Sequence, residues 1–232
     1  MAAAETHNSH LTKHSNECVI LLHGLVRSNS SMEKIEEKLL SEGYKVVNHD
    51  YPSRDFTIAE LATIEIPKAI GVCHIFQPEK IHFVTHSLGG ILIRYYLEHN
   101  EVDDLGRVVM LSPPNQGSEA VDELANMPGF NTLNGPAGGE LGTDGNSVPV
   151  NLGVADFEVG IITGNESVNL ILSQLIPGED DGKVSVENAK LEGMTDFLVM
   201  PHSHTFIMKS DDVIDQILYF LQNGLFDHSK DE

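Results

Sequence analysis

Two hydrophobic periods alternate along the chain. Short apolar runs of strand length recur at "CVILLHG" (18 to 24), "YKVVNHDYP" (44 to 52), "KIHFVTH" (80 to 86), "GRVVMLSPP" (106 to 114), "FEVGIITG" (157 to 164) and "DFLVMP" (196 to 201). Helical patterns fall between them: "SSMEKIEEKLLSEG", a long stretch from about Thr57 to Phe76, "LGGILIRYYLEHN" and "GSEAVDELANM". In the first, Ser30 and Glu33 have capping-box spacing and Gly43 supplies a stop. A last amphipathic helix runs from Asp211 to Asn223, with Val213, Ile214, Ile217, Leu218 and Leu221 on one face and Gly224 closing it. Strands alternating with helices predict a three-layer α/β/α sandwich around a mostly parallel sheet of about six strands.

Residues 128 to 149 break the pattern. They hold six glycines and three prolines, show neither period, and are too long for a routine connection. A functional loop over or near a site is the expectation. No repeat or composition break marks a second domain. The expected organisation is a polar leader at 1 to 17, one domain at 18 to 226 and a short acidic tail at 227 to 232.

Composition narrows the function classes. Fourteen Lys and Arg against 35 Asp and Glu give a net charge of −21, which repels phosphate backbones and anionic bilayers, so nucleic acid is not an expected partner. Residues 1 to 17 contain no apolar signal-peptide core, and no later stretch approaches a membrane span, so no stable membrane insertion is expected. Cys18 and Cys73 lack metal-type spacing, and two cysteines make no disulfide framework for 232 residues; a reducing, cytoplasmic setting follows. His7, His10 and His14 read as incidental residues of a frayed terminus, and no metal or cofactor is expected.

The candidate chemistry begins at "FVTHSLGGIL" (83 to 92), where a strand meets a helix at Ser87. A sharp strand-to-helix turn lifts a serine hydroxyl off the sheet edge, and small neighbours, here Gly89 and Gly90, let strand and helix approach. Thr85 stands where glycine is usual, and its branched side chain narrows that approach. In "LLHGL" (21 to 25) a strand ends in His23-Gly24, so the next amide, that of Leu25, can face a developing oxyanion together with the amide of Leu88. His23, Gly24 and His86 flank these groups and are candidate substrate contacts. Asp180 and Asp181 lie in a turn before Gly182, and His202 and His204 lie in the loop after a strand; either aspartate is placed to orient a histidine. Asp50, Tyr51 and Arg54 end a further strand, either facing the pocket or forming a local turn with Pro52.

The segments "LLHGL", "DYPSR", "FVTHSLGG", "SPPNQGSE", "DDGKVSVENAKLEG" and "SHTFIM" together resemble the α/β-hydrolase superfamily, in particular small lipase-like and esterase-like proteins related to inositol-deacylase-type lipases. The resemblance spans Val19 to Leu221. It implies Ser87 as nucleophile, His204 as base, Asp181 as acid because it directly precedes Gly182, and Leu25 and Leu88 as the oxyanion amides. The implied activity is hydrolysis of a small-molecule or lipid-like carboxylic ester through an acyl-enzyme. An acyltransferase or thioesterase with the same triad, or a non-catalytic binding protein on this scaffold, are the alternatives. Few large apolar residues in 128 to 149, chiefly Phe130, Leu133 and Leu141, favour a monomeric ester over an oil droplet.

Overall fold

The computed structural model describes residues 14, 16–125, 127–168 and 173–230. One sheet contains β1 (Glu17–Leu22), β2 (Lys45–His49), β3 (Lys80–His86), β4 (Leu105–Leu111), β5 (Val159–Gly164) and β6 (Asp196–Met200). All five pairings are parallel, in the order β2-β1-β3-β4-β5-β6. The helices are α1 (Glu33–Ser41), α2 (Ile58–His74), α3 (Leu88–His99), α4 (Glu119–Leu124), α5 (Phe130–Gly139), α6 (Val148–Asn151), α7 (Val186–Ala189) and α8 (Asp211–Asn223).

Strand alternation divides the core in two, because successive side chains leave opposite faces of the sheet. Ile20, Leu22, Phe83, Val108 and Met110 pack with Ile66 of α2 and Ile91 of α3. Val19, Leu21, Val84, Val109 and Leu111 pack with Ile35 and Leu39 of α1 and Ile217 and Phe220 of α8. Each such buried side chain contributes about 1.5–3 kcal/mol over exposure. Helix α8 has the bounds that its periodicity predicts, its five expected inward residues are buried, and Gly224 adopts φ 79°.

Several local expectations change. Ser30 and Glu33 form no capping box: residues Asn29–Met32 make a 3-10 turn, and α1 starts after it without a side-chain cap. The capping box lies instead at the start of α2, between Thr57 and Glu60. Residues 128 to 149 are not all loop, since Phe130–Gly139 is helical, with a kink at Gly135, where φ is 68°. Ala137 of this helix packs into the core and its amide donates to the Phe56 carbonyl at 3.2 Å.

The ends also differ from the sequence reading. Residues 1–13, including His7 and His10, lie outside the described residues. His14, however, is buried and stacks on Tyr44 at 4.4 Å between ring centroids, and β1 begins at Glu17. At the other end, the Asp227 amide donates to Gln216 and His228 pairs with Asp196 at 3.0 Å.

Cys18 and Cys73, separated by 55 positions, form a disulfide that ties β1 to α2. The inference from cysteine count to a reducing compartment therefore loses its premise: two cysteines far apart in sequence meet because α2 packs on the face of β1 that carries Cys18.

Candidate active site

Parallel pairing brings the carboxyl ends of β1, β3, β5 and β6 to one edge of the sheet, where the loops that follow them converge. At the end of β3, Ser87 has φ 52° and ψ −118°, a left-handed region that costs a non-glycine residue about 1–3 kcal/mol. Its amide donates to the Leu111 carbonyl at 2.9 Å, which fixes the turn against β4.

The two glycines after it have separate steric roles. A Cβ on Gly89 would lie 2.7 Å from the Leu22 carbonyl oxygen, so this position lets α3 rest on β1. A Cβ on Gly90 would lie 3.1 Å from Pro113 and 3.4 Å from the Thr85 hydroxyl. Thr85 is thus accommodated: the space that its branched side chain takes on the strand is left open by Gly90 on the helix. Gly24 permits a third approach, since a Cβ there would sit 2.7 Å from His86 Nδ1 and 3.2 Å from Ser87 Cβ.

Ser87 Oγ lies 3.0 Å from His204 Nε2, and His204 Nδ1 lies 2.8 Å from Asp181 Oδ2. With Nδ1–H donating to Asp181, Nε2 is left to accept the serine proton. Asp181 Oδ1 accepts the amides of Lys183 and Val184 at 3.0 and 2.9 Å, so its own turn fixes its rotamer. Burial alone raises the Asp181 pKa; the adjacent His204 and the Val184 amide are among the groups that outweigh it and hold the carboxyl below its ordinary value.

The neighbouring candidates go elsewhere. Asp180 accepts from the Gly182 amide at 2.7 Å and from Ser173. His202 Nε2 lies 2.8 Å from Asp212, and its Nδ1 accepts from Ser210. Leu25 lines the pocket beside Ser87, and Leu88 is the first residue of α3, whose amide has no acceptor one turn back.

Two of the three expected substrate contacts are structural. His23 is fully buried under the site, stacked on Tyr51 at 4.1 Å, with Nδ1 donating to the Gly24 carbonyl; it does not line the pocket. Burial, against opposing help from Asp50, lowers its pKa. Gly24 acts by making room. His86 reaches the pocket wall, but its Nε2 donates to the His204 carbonyl at 3.0 Å, so its ring holds the histidine loop. Asp50, Tyr51 and Arg54 line a separate cavity of about 310 Å³, with Asp50 capping the Asn29 amide.

The cavity beside Ser87, about 200 Å³, has an apolar wall of Leu25, Val121, Leu124, Phe130, Leu133 and Leu141. Half of that wall comes from 128 to 149. Behind it, buried Arg94 donates to the carbonyls of Asn115, Leu152 and Gly153, and Asn115 donates to Ala189, locking the "SPPNQGSE" turn against α3 and α7. Burial brings the Arg94 guanidinium down to about 10. Arg27 and Lys183 also line the cavity; nothing in their local spacing singled them out in the sequence.

Residues 12–161 match the family model described as "Putative serine esterase (DUF676)". The chain belongs to this serine esterase family. Among solved structures, a Bacillus licheniformis lipase in mature form superposes with TM-score 0.71 at 21% identity, covering 89% of this chain and 92% of the other. A Listeria innocua protein gives 0.60 at 15%, covering 92% and 100%, and a Thermogutta terrifontis esterase gives 0.57 at 12%, covering 91% and 91%. These likenesses establish the α/β-hydrolase fold. No curated protein sequence matches. This serine esterase family member is accordingly a lipase- or esterase-like hydrolase by family, and among its described residues no helix is long and apolar enough to cross a membrane.

Proposed function

We propose that the protein hydrolyses carboxylic esters through Ser87, His204 and Asp181, by way of an acyl-enzyme. The observation that carries this reading is the continuous chain from Ser87 Oγ to His204 Nε2 at 3.0 Å and from His204 Nδ1 to Asp181 Oδ2 at 2.8 Å, at a serine with φ 52°.

In this mechanism Ser87 passes its proton to His204 Nε2 as its oxygen attacks the ester carbonyl. Asp181 holds the imidazole tautomer and stabilises the imidazolium. The amides of Leu25 and Leu88 receive the negative charge of the tetrahedral intermediate, each contributing about 100- to 1000-fold. His204 protonates the departing alkoxide, then takes a proton from water as that water attacks the acyl-enzyme, and the acid leaves. The Ser87 proton thus leaves with the alcohol, and the proton taken from water passes from His204 to Ser87 Oγ as the acyl bond breaks. The substrate is a monomeric ester with a short acyl chain: a cavity of about 200 Å³ is small beside pockets of roughly 300–1,000 Å³ that enclose drug-sized ligands.

A chain-length series of chromogenic esters tests this. Wild type is expected to favour short chains; Ser87→Ala and His204→Ala lower kcat/KM by about 1000-fold or more, whereas His202→Ala changes it less than about fivefold. Retained turnover in Ser87→Ala overturns the nucleophile assignment. Inactivity of the wild type on every ester favours a binding role for the scaffold.

A further inference from the structure

The cavity beside Ser87 and His204 is lined by two cations, Arg27 and Lys183, and by no carboxylate. In a chain where acids outnumber bases 35 to 14, five of the described basic side chains pair with carboxylates. Lys34, Lys38, Lys68, Arg107 and Lys190 each do so. Among the described residues, neither Arg27 nor Lys183 has an ion-pair partner.

The Arg27 side chain and the Lys183 backbone are both tied to the site itself. Arg27 Nη2 donates to the carbonyl of Thr205, the residue after His204, at 3.3 Å. The Lys183 amide donates to Asp181 Oδ1, and its carbonyl accepts from Ser118 Oγ at 2.7 Å. Both side chains line the cavity that also holds Ser87 and His204. Removal of water lowers the pKa of each, the Arg27 charge lowers that of Lys183 further against Asp181, and both charges push His86 down. Arg27 is half-buried and Lys183 is exposed, so both charges are available at a cavity without a carboxylate, and a neutral ester would satisfy neither. An anion between them would satisfy both.

We propose that Arg27 and Lys183 form an anion subsite, and that the substrate is an ester bearing a phosphate or carboxylate a few atoms from the scissile bond. The guanidinium offers a planar pair of donors to two anion oxygens and the ammonium a point charge. The apolar wall at Leu124, Phe130 and Leu133 takes the acyl chain. A surface at −21 repels anionic substrate at long range, so these two charges must supply the attraction locally. This inference rests on the ester hydrolase reading of Ser87.

Two matched pairs separate the sources of the anion: 1-butyrylglycerol against its 3-phosphate, and 4-nitrophenyl pentanoate against mono-4-nitrophenyl glutarate. The ratio of kcat/KM for the anionic over the neutral member is expected to exceed about 10 in at least one pair. Arg27→Gln and Lys183→Gln should each lower that ratio about tenfold, roughly what one charge-assisted hydrogen bond is worth. Arg27→Lys, which keeps the charge, should recover part of it. Lys45→Gln, at the amino end of β2, makes the same charge change away from the site and should leave the ratio in place. Preference for the neutral member in both pairs, or an equal loss in Lys45→Gln, overturns the proposal. Calorimetric titration of Ser87→Ala with the phosphate and glycerol esters gives a readout without turnover. If wild type cleaves no ester, the hydrolase reading fails while the subsite is still decided: phosphate-selective binding weakened about tenfold by Arg27→Gln supports it, and equal binding of the two ligands overturns it.

Discussion

His86 has one nitrogen bonded to the His204 carbonyl at 3.0 Å and a ring that is almost entirely buried. Burial, then the nearby charges of His204 and Arg27, hold its pKa well below the ordinary histidine value. The folded protein therefore keeps His86 neutral at a pH where the unfolded chain protonates it. Stability from this source is fully present above about pH 6.5, the unfolded value, and is lost as pH falls below it. His23, also lowered mainly by burial, adds a slope of the same sign. Denaturant titrations between pH 8 and 5 should show declining stability, with a shallower decline in His86→Gln. An unchanged slope in that variant would remove His86 from the explanation. His86→Gln should also lower kcat more than it raises KM, because a displaced His204 loop impairs proton transfer more than substrate contact.

At the scale of elements, α3 is positioned by what its first turn lacks. In an exposed helix, replacing glycine by alanine gains about 1 kcal/mol. At Gly89 the added methyl meets the β1 backbone, with Leu22 O at 2.7 Å and Leu22 Cβ at 2.9 Å, and neither can retreat without moving the strand. Overpacking of about 1–3 kcal/mol wins there. At Gly90 the nearest atom is Pro113 Cβ at 3.1 Å, a milder contact. Chemical denaturation should therefore rank Gly89→Ala well below wild type and Gly90→Ala between them. Activity should fall with Gly89→Ala, since a shifted α3 carries Ser87 and the Leu88 amide with it. The reverse order would show that the strand yields more easily than the loop at Pro113.

Over the whole molecule, the disulfide closes a loop of 55 residues across the α2 side of the core. Loop-closure entropy puts its contribution at about 4 kcal/mol, within a measured range of about 0–5 kcal/mol for such bonds. Cys18→Ala/Cys73→Ala should lose stability of that order. Because both sulfurs are fully buried, wild type should resist reductant until denaturant opens it. Thiol titration in native buffer checks this: two reactive thiols would mean that the bond is absent. A stable disulfide fits an oxidising compartment better than the reducing one suggested by cysteine count.

Local order was legible in the residues because it is a short-range property. Six apolar runs and their interleaved helices define the parallel sheet, the periodicity of 211 to 223 places α8, and Ser87 stands out because a strand-to-helix turn brackets it. Where the local signal was weak or competed with packing, it misled: the spacing of Ser30 and Glu33 suits a capping box, yet a 3-10 turn forms, and the glycines of 128 to 149 conceal α5. Contacts across the fold are a different matter, since spacing along the chain carries no distances in space. The pairing of Cys18 with Cys73, the burial of His23 beneath the site, the diversion of His202 to Asp212, and the convergence of Arg27 and Lys183 on one cavity arise only when parallel strands bring distant loops to a common edge. The sequence thus determined the strands, the long helices between them and which serine sits at a strand-to-helix turn; the tertiary structure decided which side chains share that serine's surroundings, because those neighbours are set by sheet order and packing.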